Sequence, residues 1–459
     1  MHARTRHRWL LVAAIGFGAM VAAEEPMAER EPNRLIITRR ADKKTDKDRD
    51  EKDKNGKNDD EKEEEKKPEW KAWKPEGRAL TLGECLAIGQ EKQPAIKAAV
   101  ASLAASERGY LALFGLRKIA DIFSPDLPFR RQQSQRGLAA ATAEVLKARQ
   151  ENTYDIARLY YSYVYATQQE QTAAEIVEFM ETSYDSAVEI LKSDIVDPKI
   201  KVNEFTLGRL DDIIGEVRDL RGKATNGRKN ALVALKEAMG VPQEEAIYPS
   251  AKELPLMKGE ATLEQVLALA RNLRPELVQA SVVVDVTRLE VCAQAAVSRR
   301  NVVSTFASGT DLHARILPSP MRNGGYRPGA IPPEMPIQFV GTKDDRVSRA
   351  QAFVARQEAF AAKSIGLVDA EAAKAYLDYA VAAERIPDAT ARHERAQKLV
   401  EKARTAAATK MDPELLVTNE SLASRAQSKY VEAVYEHILA LITLEKVTAG
   451  GVKPAFPDR

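Results

Sequence analysis

The side chains that could perform chemistry are few, and their spacing fits no catalytic or metal-binding pattern. The five histidines are His2, His7, His313, His393 and His437, and no two of them have the separation of a metal-ligand pair. The sequence contains no HExxH, GxSxG, CxxC or phosphate-binding glycine motif. Catalysis needs a nucleophile, a base or a metal in a convergent set. The sequence therefore predicts no enzyme activity, no catalytic residue, no metal site and no cofactor.

Acidic residues stand beside two Asp-Pro steps. The residues of these two groups are Asp194, Asp197, Pro198, Asp412, Pro413 and Glu414. An Asp-Pro step favours the start of a turn, because proline disfavours helix at the residue before it. We therefore expect turns at 192–203 and 405–419. The simplest interpretation of their acids is that they are solvated.

An internal duplication organises the chain. Residues 80–108 align with 261–289 at an offset of 181, which places Pro94 on Pro275. Later parts of the two copies align at offsets of 215 and 216, where the matched pairs are Asp197 with Asp412, Tyr160 with Tyr376, and Tyr163 with Tyr379. The repeat is far longer than a solenoid unit. It predicts two half-molecules, residues 79–255 and 256–450, followed by a tail at 451–459.

Each copy has the pattern of long helices. Apolar residues recur every three or four positions over about 136–191 and again over about 348–408. Thr81 with Glu84 is a capping-box pattern, and the second copy repeats it. A helix of more than about 50 residues is roughly 80 Å long. Helices of this length pack along one another as coiled-coil-like pairs.

Two non-helical segments interrupt this pattern. They lie at 115–135 and at about 297–345, are rich in proline, and are expected to contribute β-structure. Cys85 and Cys292, the only cysteines of the sequence, lie near opposite ends of the two copies. We expect two small, buried apolar side chains and no disulfide.

The first 78 residues differ from the rest. Residues 1–23 combine a basic start, an apolar stretch and a small-residue cleavage site, which indicates an export signal, with an uncleaved membrane anchor as the alternative. Residues 24–78 are expected to be a charged, disordered tether, or at most a transient helix, because 22 of the 26 residues from 42 to 67 are charged. The tether could contact cell wall or anionic lipid, although its charges nearly balance. A net charge of +2 gives no indication of nucleic-acid binding.

The chain resembles the outer-membrane efflux (TolC-like) family. The residues that carry the resemblance are the opening LTLGECLAIGQEKQPAI, its repeat ATLEQVLALARNLRPEL and the closing ALITLEKVTAGG. Their order, duplication and spacing cover about 80–450. The resemblance implies a mainly α fold, in which duplicated long antiparallel coiled-coil helices form an α-helical barrel with a small β-barrel part.

The resemblance also implies a function and partners. It implies a homotrimer in the outer membrane, in contact with its lipid, with the helices in the periplasm. The helix tips would contact a periplasmic adaptor protein linked to an inner-membrane pump, and the channel would conduct small molecules or proteins passively. The acids at 194, 197, 412 and 414 would then line or close the tip, where paired acids from three chains attract cations.

Other functions stay open at this stage. Residues 115–135 barely have room for two transmembrane strands of about 9–11 residues. A periplasmic coiled-coil scaffold, derived from such a channel but without a membrane-spanning barrel, is therefore the alternative. An adaptor protein would need lipoyl-like β segments, and the sequence has no such pattern.

Overall fold

The computed structural model describes residues 75–116, 121–122, 124–192, 204–257, 259, 261–297, 304–305, 338–339, 342–410 and 413–459. The residues of the expected signal and all but the last four of the expected tether lie outside these ranges.

The helices occur in two sets with the same order and nearly the same lengths. The first set is α1 (Leu82–Lys92), α2 (Pro94–Gly115), α3 (Leu127–Lys192) and α4 (Glu204–Ala238). The second set is α5 (Leu263–Leu273), α6 (Pro275–Ala296), α7 (Lys343–Lys410) and α8 (Pro413–Val447). Their lengths are 11, 22, 66 and 35 residues in the first set and 11, 22, 68 and 35 in the second. The mainly α fold and the duplication expected from the sequence are confirmed.

Local sequence signals fix the first helices of each set. Thr81 Oγ1 accepts a hydrogen bond from the backbone N–H of Glu84 (3.2 Å), and the Glu84 carboxylate accepts one from the Thr81 N–H (2.9 Å). Thr262 and Gln265 make the same pair of bonds at the start of α5. Pro94 occupies the first helical turn of α2, where its missing N–H costs no hydrogen bond.

Two pairs of short strands accompany the helices. β1 (Arg78–Leu80) and β2 (Ile247–Pro249) pair in parallel and join the start of the first half to the connection between the halves. β3 (Ser304–Thr305) and β4 (Gln338–Phe339) pair antiparallel within the second interruption.

The β segment expected at 115–135 is wrong for the residues that the structure describes. Residues 121–122 are helical and α3 begins at Leu127, so the whole stretch 127–135 is helix. Arg131 explains part of the difference. Its guanidinium donates to the carbonyl oxygens of Leu113 (3.0 Å) and Leu116 (2.9 Å), which lie at the end of α2. This basic side chain therefore bonds the end of one helix to the start of the next.

The second expected turn is much shorter than the sequence indicated. Helix α7 continues to Lys410 and α8 begins at Pro413, so most of 405–419 is helical. Proline is well tolerated in the first turn of a helix, and the Asp-Pro step therefore marks the helix start. At the first turn, α3 ends at Lys192 and α4 begins at Glu204, as expected.

Helix α3 lies at the centre of the layer of helices. It packs against α2 and α4 of its own half and against α6 and α8 of the second half. The largest apolar cluster surrounds its middle and joins both halves, with Tyr160 and Tyr161 fully buried beside Ile438 of α8.

Residues 451–459, expected as a tail, pack back onto the helices. Phe456 is 5% exposed and its ring centroid lies 5.0 Å from that of Tyr161. Arg459 forms two hydrogen bonds with the carboxylate of Glu445 (2.8 and 2.6 Å). The Gly83 N–H donates to Asp458 O (2.9 Å), which ties this segment to the start of α1.

None of the helices in the described ranges combines the length and the apolar character that a membrane span requires.

Candidate functional site

The acidic residues singled out in the sequence are mostly beyond what the structure describes. Asp194, Asp197, Pro198 and Asp412 lie outside the described residues. Pro413 and Glu414 belong to the first turn of α8, and their side chains are outside the description. The proposed tip site is therefore not tested by the structure.

The cysteines and histidines that the structure describes form no reactive cluster. Cys85 is buried as expected, whereas the expected burial of Cys292 is wrong, since that side chain is exposed; neither is in a disulfide. Burial raises the pKa of the Cys85 thiol to about 12, so the nucleophilic thiolate is absent at neutral pH. Across the described part of the chain, no group of histidine, cysteine and acidic side chains could hold a metal ion.

The layer of helices has two edges at which apolar side chains are exposed. Comparison of the two halves shows which helices cover the matched side chains elsewhere in the chain. Helix α6 lies between α3 and α7, whereas its counterpart α2 packs on α3. Helix α6 buries a long run of side chains, while the buried side chain of α2 is Ile96. Leu111 and Phe114 of α2 are exposed apolar residues.

Helix α4 is exposed in the same way. Helices α4 and α8 match at an offset of 209, and α8 packs against both α3 and α7. Val233 of α4 is 55% exposed, whereas its counterpart Ile442 of α8 is 1% exposed. We call α2 and α4 together the first edge of the layer.

Helix α7 forms the second edge. Helices α3 and α7 match at an offset of 216, which places Leu377 on Tyr161 and Val381 on Tyr165. Tyr161 is fully buried, and the ring of Tyr165 stacks on that of Tyr435 of α8 at 4.3 Å. Leu377 and Val381 are 59% and 57% exposed. The surface that α3 uses to bind α8 is therefore present on α7 as an apolar surface that the described residues of the chain leave largely exposed.

The two edges are complementary. Within the chain, α6 and α8 of the second half cover α3. By the same relation, α2 and α4 of a second copy can cover α7. Such contacts join unlike surfaces head to tail, and repetition of a head-to-tail contact closes a ring when the rotation permits.

A buried polar cluster fixes one end of the layer. Glu290 of α6 is 2% exposed, and its carboxylate accepts hydrogen bonds from Arg130, Gln133 (2.8 Å) and Gln294 (2.7 Å). Arg130 and Gln133 belong to α3, so the cluster joins the start of α3 to the end of α6. It lies where the chain leaves the helices for the two interrupting segments.

Sequence reasoning missed the two edges, although one signal for them was available. The offset of 216 aligned Tyr160 and Tyr163 with Tyr376 and Tyr379, and the same offset places Leu377 on Tyr161. The alignment alone does not show which of the matched positions is buried.

Solved structures of outer-membrane channels have the same fold. The open state of the Neisseria gonorrhoeae MtrE outer membrane channel matches with a TM-score of 0.61 and 14% identity, covering 81% of this chain and 90% of that one. The Campylobacter jejuni CmeC outer membrane channel matches with a TM-score of 0.60 and 11% identity, covering 85% and 92%. The outer-membrane channel OprN matches with a TM-score of 0.59 and 13% identity, covering 80% and 90%.

No family model and no curated protein sequence matches the chain. The TolC-like fold expected from the sequence is nevertheless confirmed by the likeness to these channels, which extends over most of both chains.

Proposed function

We propose that this protein is the outer-membrane channel component of a tripartite efflux or type I secretion system. It conducts small molecules or proteins passively, and energy comes from elsewhere in the system. The observation that carries the proposal is the shared fold with outer-membrane channels over at least 80% of this chain. The two complementary edges support it, since a conduit needs a closed ring of helices.

The proposed assembly is a homotrimer joined head to tail. Helices α2 and α4 of one copy pack on α7 of the neighbouring copy, in the same way that α6 and α8 pack on α3 within one chain. Complete burial of a leucine or valine side chain contributes about 1.5–3 kcal/mol. Leu377 and Val381 are already partly covered, so each would contribute about 1 kcal/mol on assembly. Val233 is the matching apolar residue on the other edge.

The proposed location and partners follow from the same resemblance. The channel lies in the outer membrane, in contact with its lipid, and its helices extend into the periplasm. Its helix tips contact a periplasmic adaptor protein linked to an inner-membrane pump. Asp194, Asp197, Pro198, Asp412, Pro413 and Glu414 are the tip residues proposed for that contact or for a pore constriction.

Single-channel conductance tests the proposal. The purified protein is added to a planar lipid bilayer, and discrete, cation-biased current steps are expected. A well-folded oligomer that gives no current in any preparation, including variants with the acidic tip residues replaced, would overturn the channel proposal.

The interface has its own test. Leu377→Asp with Val381→Asp places two charges in the proposed contact, and we expect the trimer to dissociate in size-exclusion chromatography with light scattering. Leu256→Asp is the matched control, because Leu256 is 57% exposed but lies in the connection between the halves. A double variant that stays as oligomeric as this control would show that α7 is not the interface.

One observation favours the second candidate, a periplasmic scaffold derived from such a channel. Residues 127–135, where strands were expected, are helical. A scaffold would be recovered from the periplasm without detergent and would give no current. Recovery with the outer-membrane fraction and extraction by detergent would exclude it.

A further inference from the structure

The two long hairpins of the molecule, α3–α4 and α7–α8, carry the same tyrosine opposite different partners. Tyr163 of α3 corresponds to Tyr379 of α7 at the offset of 216, and Arg228 of α4 corresponds to His437 of α8 at the offset of 209. Tyr163 lies near Arg228, and the ring centroid of Tyr379 lies 5.6 Å from that of His437. The position is thus the same place in both hairpins.

In the first hairpin this position holds a buried ion pair. Arg228 Nε lies 3.0 Å from Glu170 Oε2, and the side chains are 8% and 7% exposed. Arginine carries a permanent positive charge, and here a carboxylate lies beside it. The first hairpin has no histidine at this position.

In the second hairpin the same position holds a titratable group with no carboxylate opposite it. His437 is 2% exposed, and its Nδ1 is buried without a hydrogen-bond partner among the described residues. Ile386 stands where the first hairpin has Glu170.

Polar groups of the two helices that pack on α8 have partners of their own. On α7, the Tyr379 hydroxyl donates to Gly259 O, and Arg385 pairs with Glu436 of α8. On α3, which packs on α8 from the other side, Ser162 and Gln169 bond to Tyr435 and Ser428 of α8. Among the described residues, no charged group offsets the lowering of the His437 pKa by burial.

We propose that His437 makes the α7–α8 hairpin acid-sensitive: its protonation places an unpaired charge between α7 and α8 and loosens this hairpin, while the α3–α4 hairpin is unaffected. The proposal concerns a regulatory device of the fold, and it holds whether the protein is a channel or a scaffold.

The direction of the pH effect follows from the burial of His437. Burial lowers the pKa of His437 below its ordinary value of 6.5. Above pH 6.5 the imidazole is neutral in both the closed and the opened hairpin, so the hairpin has its full stability. As the pH falls below 6.5, the opened form binds a proton first, and stability is lost until the pH passes the lowered pKa. Each unit of that lowering corresponds to a tenfold larger opening constant, by about 1.36 kcal/mol per pKa unit.

His393 provides an internal comparison. It lies on α7, and its ring stacks on that of Tyr430 of α8 at 5.5 Å. It lines a cavity of about 580 Å³ together with Glu175, Glu401 and Glu420. Like His437, it has a buried Nδ1 without a hydrogen-bond partner among the described residues, and burial lowers its pKa, but Glu394 opposes this lowering. The His393 side chain is also partly exposed, whereas that of His437 is 2% exposed.

Hydrogen exchange of the full chain at pH 7.5 and 5.5, corrected for the intrinsic rates, tests the proposal. Peptides from α7–α8 near 372–386 and 431–444 are expected to lose protection severalfold at pH 5.5, up to a ceiling of about tenfold that is set by one pH unit below the ordinary pKa of 6.5. Peptides from α3–α4 near 156–170 and 222–235 are expected to change less than twofold. Equal changes in both hairpins, or none in α7–α8, would overturn the proposal.

Three variants connect the effect to His437. His437→Phe keeps an aromatic ring without a titratable group, and we expect the acid response of α7–α8 to disappear. His393→Phe is the matched control and should keep the response. His437→Arg with Ile386→Glu rebuilds the pair of the first hairpin and should also abolish the response.

If His437→Phe does not fold, His437→Arg with Ile386→Glu still tests the proposal. An acid response that persists in either His437 variant, or that disappears in His393→Phe alone, contradicts the role of His437. Carbon-13 histidine NMR of the wild-type protein is a further check, since a His437 resonance that titrates at or above pH 6.5 would contradict it as well.

Discussion

The buried pair of Glu170 and Arg228 allows a quantitative test of how the first hairpin is stabilised. Replacing Glu170 by isoleucine removes a carboxylate that lies 3.0 Å from Arg228 Nε in a site where both side chains are more than nine-tenths buried. Breaking a buried ion pair by removing one partner costs about 3–5 kcal/mol, because the remaining charge loses its compensation. Arg228 keeps its other contacts, so we expect a value near the lower end, about 3 kcal/mol.

The second hairpin supplies the compensating change. Isoleucine with histidine is the pair that the chain itself uses at 386 and 437. Adding Arg228→His to Glu170→Ile removes the uncompensated charge at pH 8, where histidine is neutral. Replacing a whole buried ion pair by less polar groups is often nearly neutral. We therefore expect the double variant to recover most of the loss, within about 1.5 kcal/mol of the wild-type hairpin.

Hydrogen exchange of α3–α4 amides at pH 8 measures these differences, since about 1.4 kcal/mol corresponds to a tenfold change in protection. Glu170→Ile alone should lower protection by roughly two powers of ten, and the double variant by about one or less. If the effects of Glu170→Ile and Arg228→His on protection simply add in the double variant, the two residues are not coupled. That result, or no effect of Glu170→Ile, would show that the pair is not the stabilising contact inferred from its geometry.

Two further predictions concern stability. Phe456→Ala should lower the melting temperature, because truncating a buried phenylalanine lowers the free energy of unfolding by about 3–5 kcal/mol. The loss is smaller if residues 454–459 detach locally from the helices. Lys453→Ala is its exposed control, and equal melting temperatures of the two variants would show that the segment does not stabilise the helices. Gly240→Ala should cost about 2–4 kcal/mol and Gly450→Ala about 1. Both glycines have positive φ (66° and 81°), but a Cβ at Gly240 would lie 2.9 Å from backbone atoms of 92 and 93, whereas at Gly450 the nearest atom is 3.8 Å away. Equal unfolding free energies of the two variants in urea would contradict this difference.

Much of the helical fold could be predicted from the sequence because its signals are local. The capping residues Thr81 and Thr262 and the prolines at 94 and 275 each act within one helical turn, so the sequence alone placed the starts of α1, α2, α5 and α6. The long helices followed from their apolar period and the duplication.

Features that depend on distant contacts were not predicted. β1 and β2 are three residues long each and pair across more than 160 positions of sequence, so neither strand has a detectable pattern. The helical start of α3 at Leu127 was missed because Pro125 and Pro128 indicated a break, although Pro128 lies in the first turn of the helix, where proline is tolerated. The candidate interface was not predicted, since the sequence does not show that Tyr161 is buried while its counterpart Leu377 is exposed.

The duplication gives one helix surface two different tasks, and the side chains at matched positions differ accordingly. On α3 the surface faces α8 of the same chain with Tyr161, which is fully buried, and with Tyr165, whose ring stacks on that of Tyr435 of α8. On α7 the matched residues are Leu377 and Val381, which stay exposed until a second copy arrives in the proposed ring. Large aromatic side chains bury more apolar area than leucine or valine. The contact within the chain is therefore the stronger of the two, so each chain can complete its own two halves before it joins a neighbour. Exchanging the residue pairs, so that α7 carries the two tyrosines and α3 carries leucine and valine, would make the contact between chains the stronger one. Chains would then associate before their own two halves have packed together.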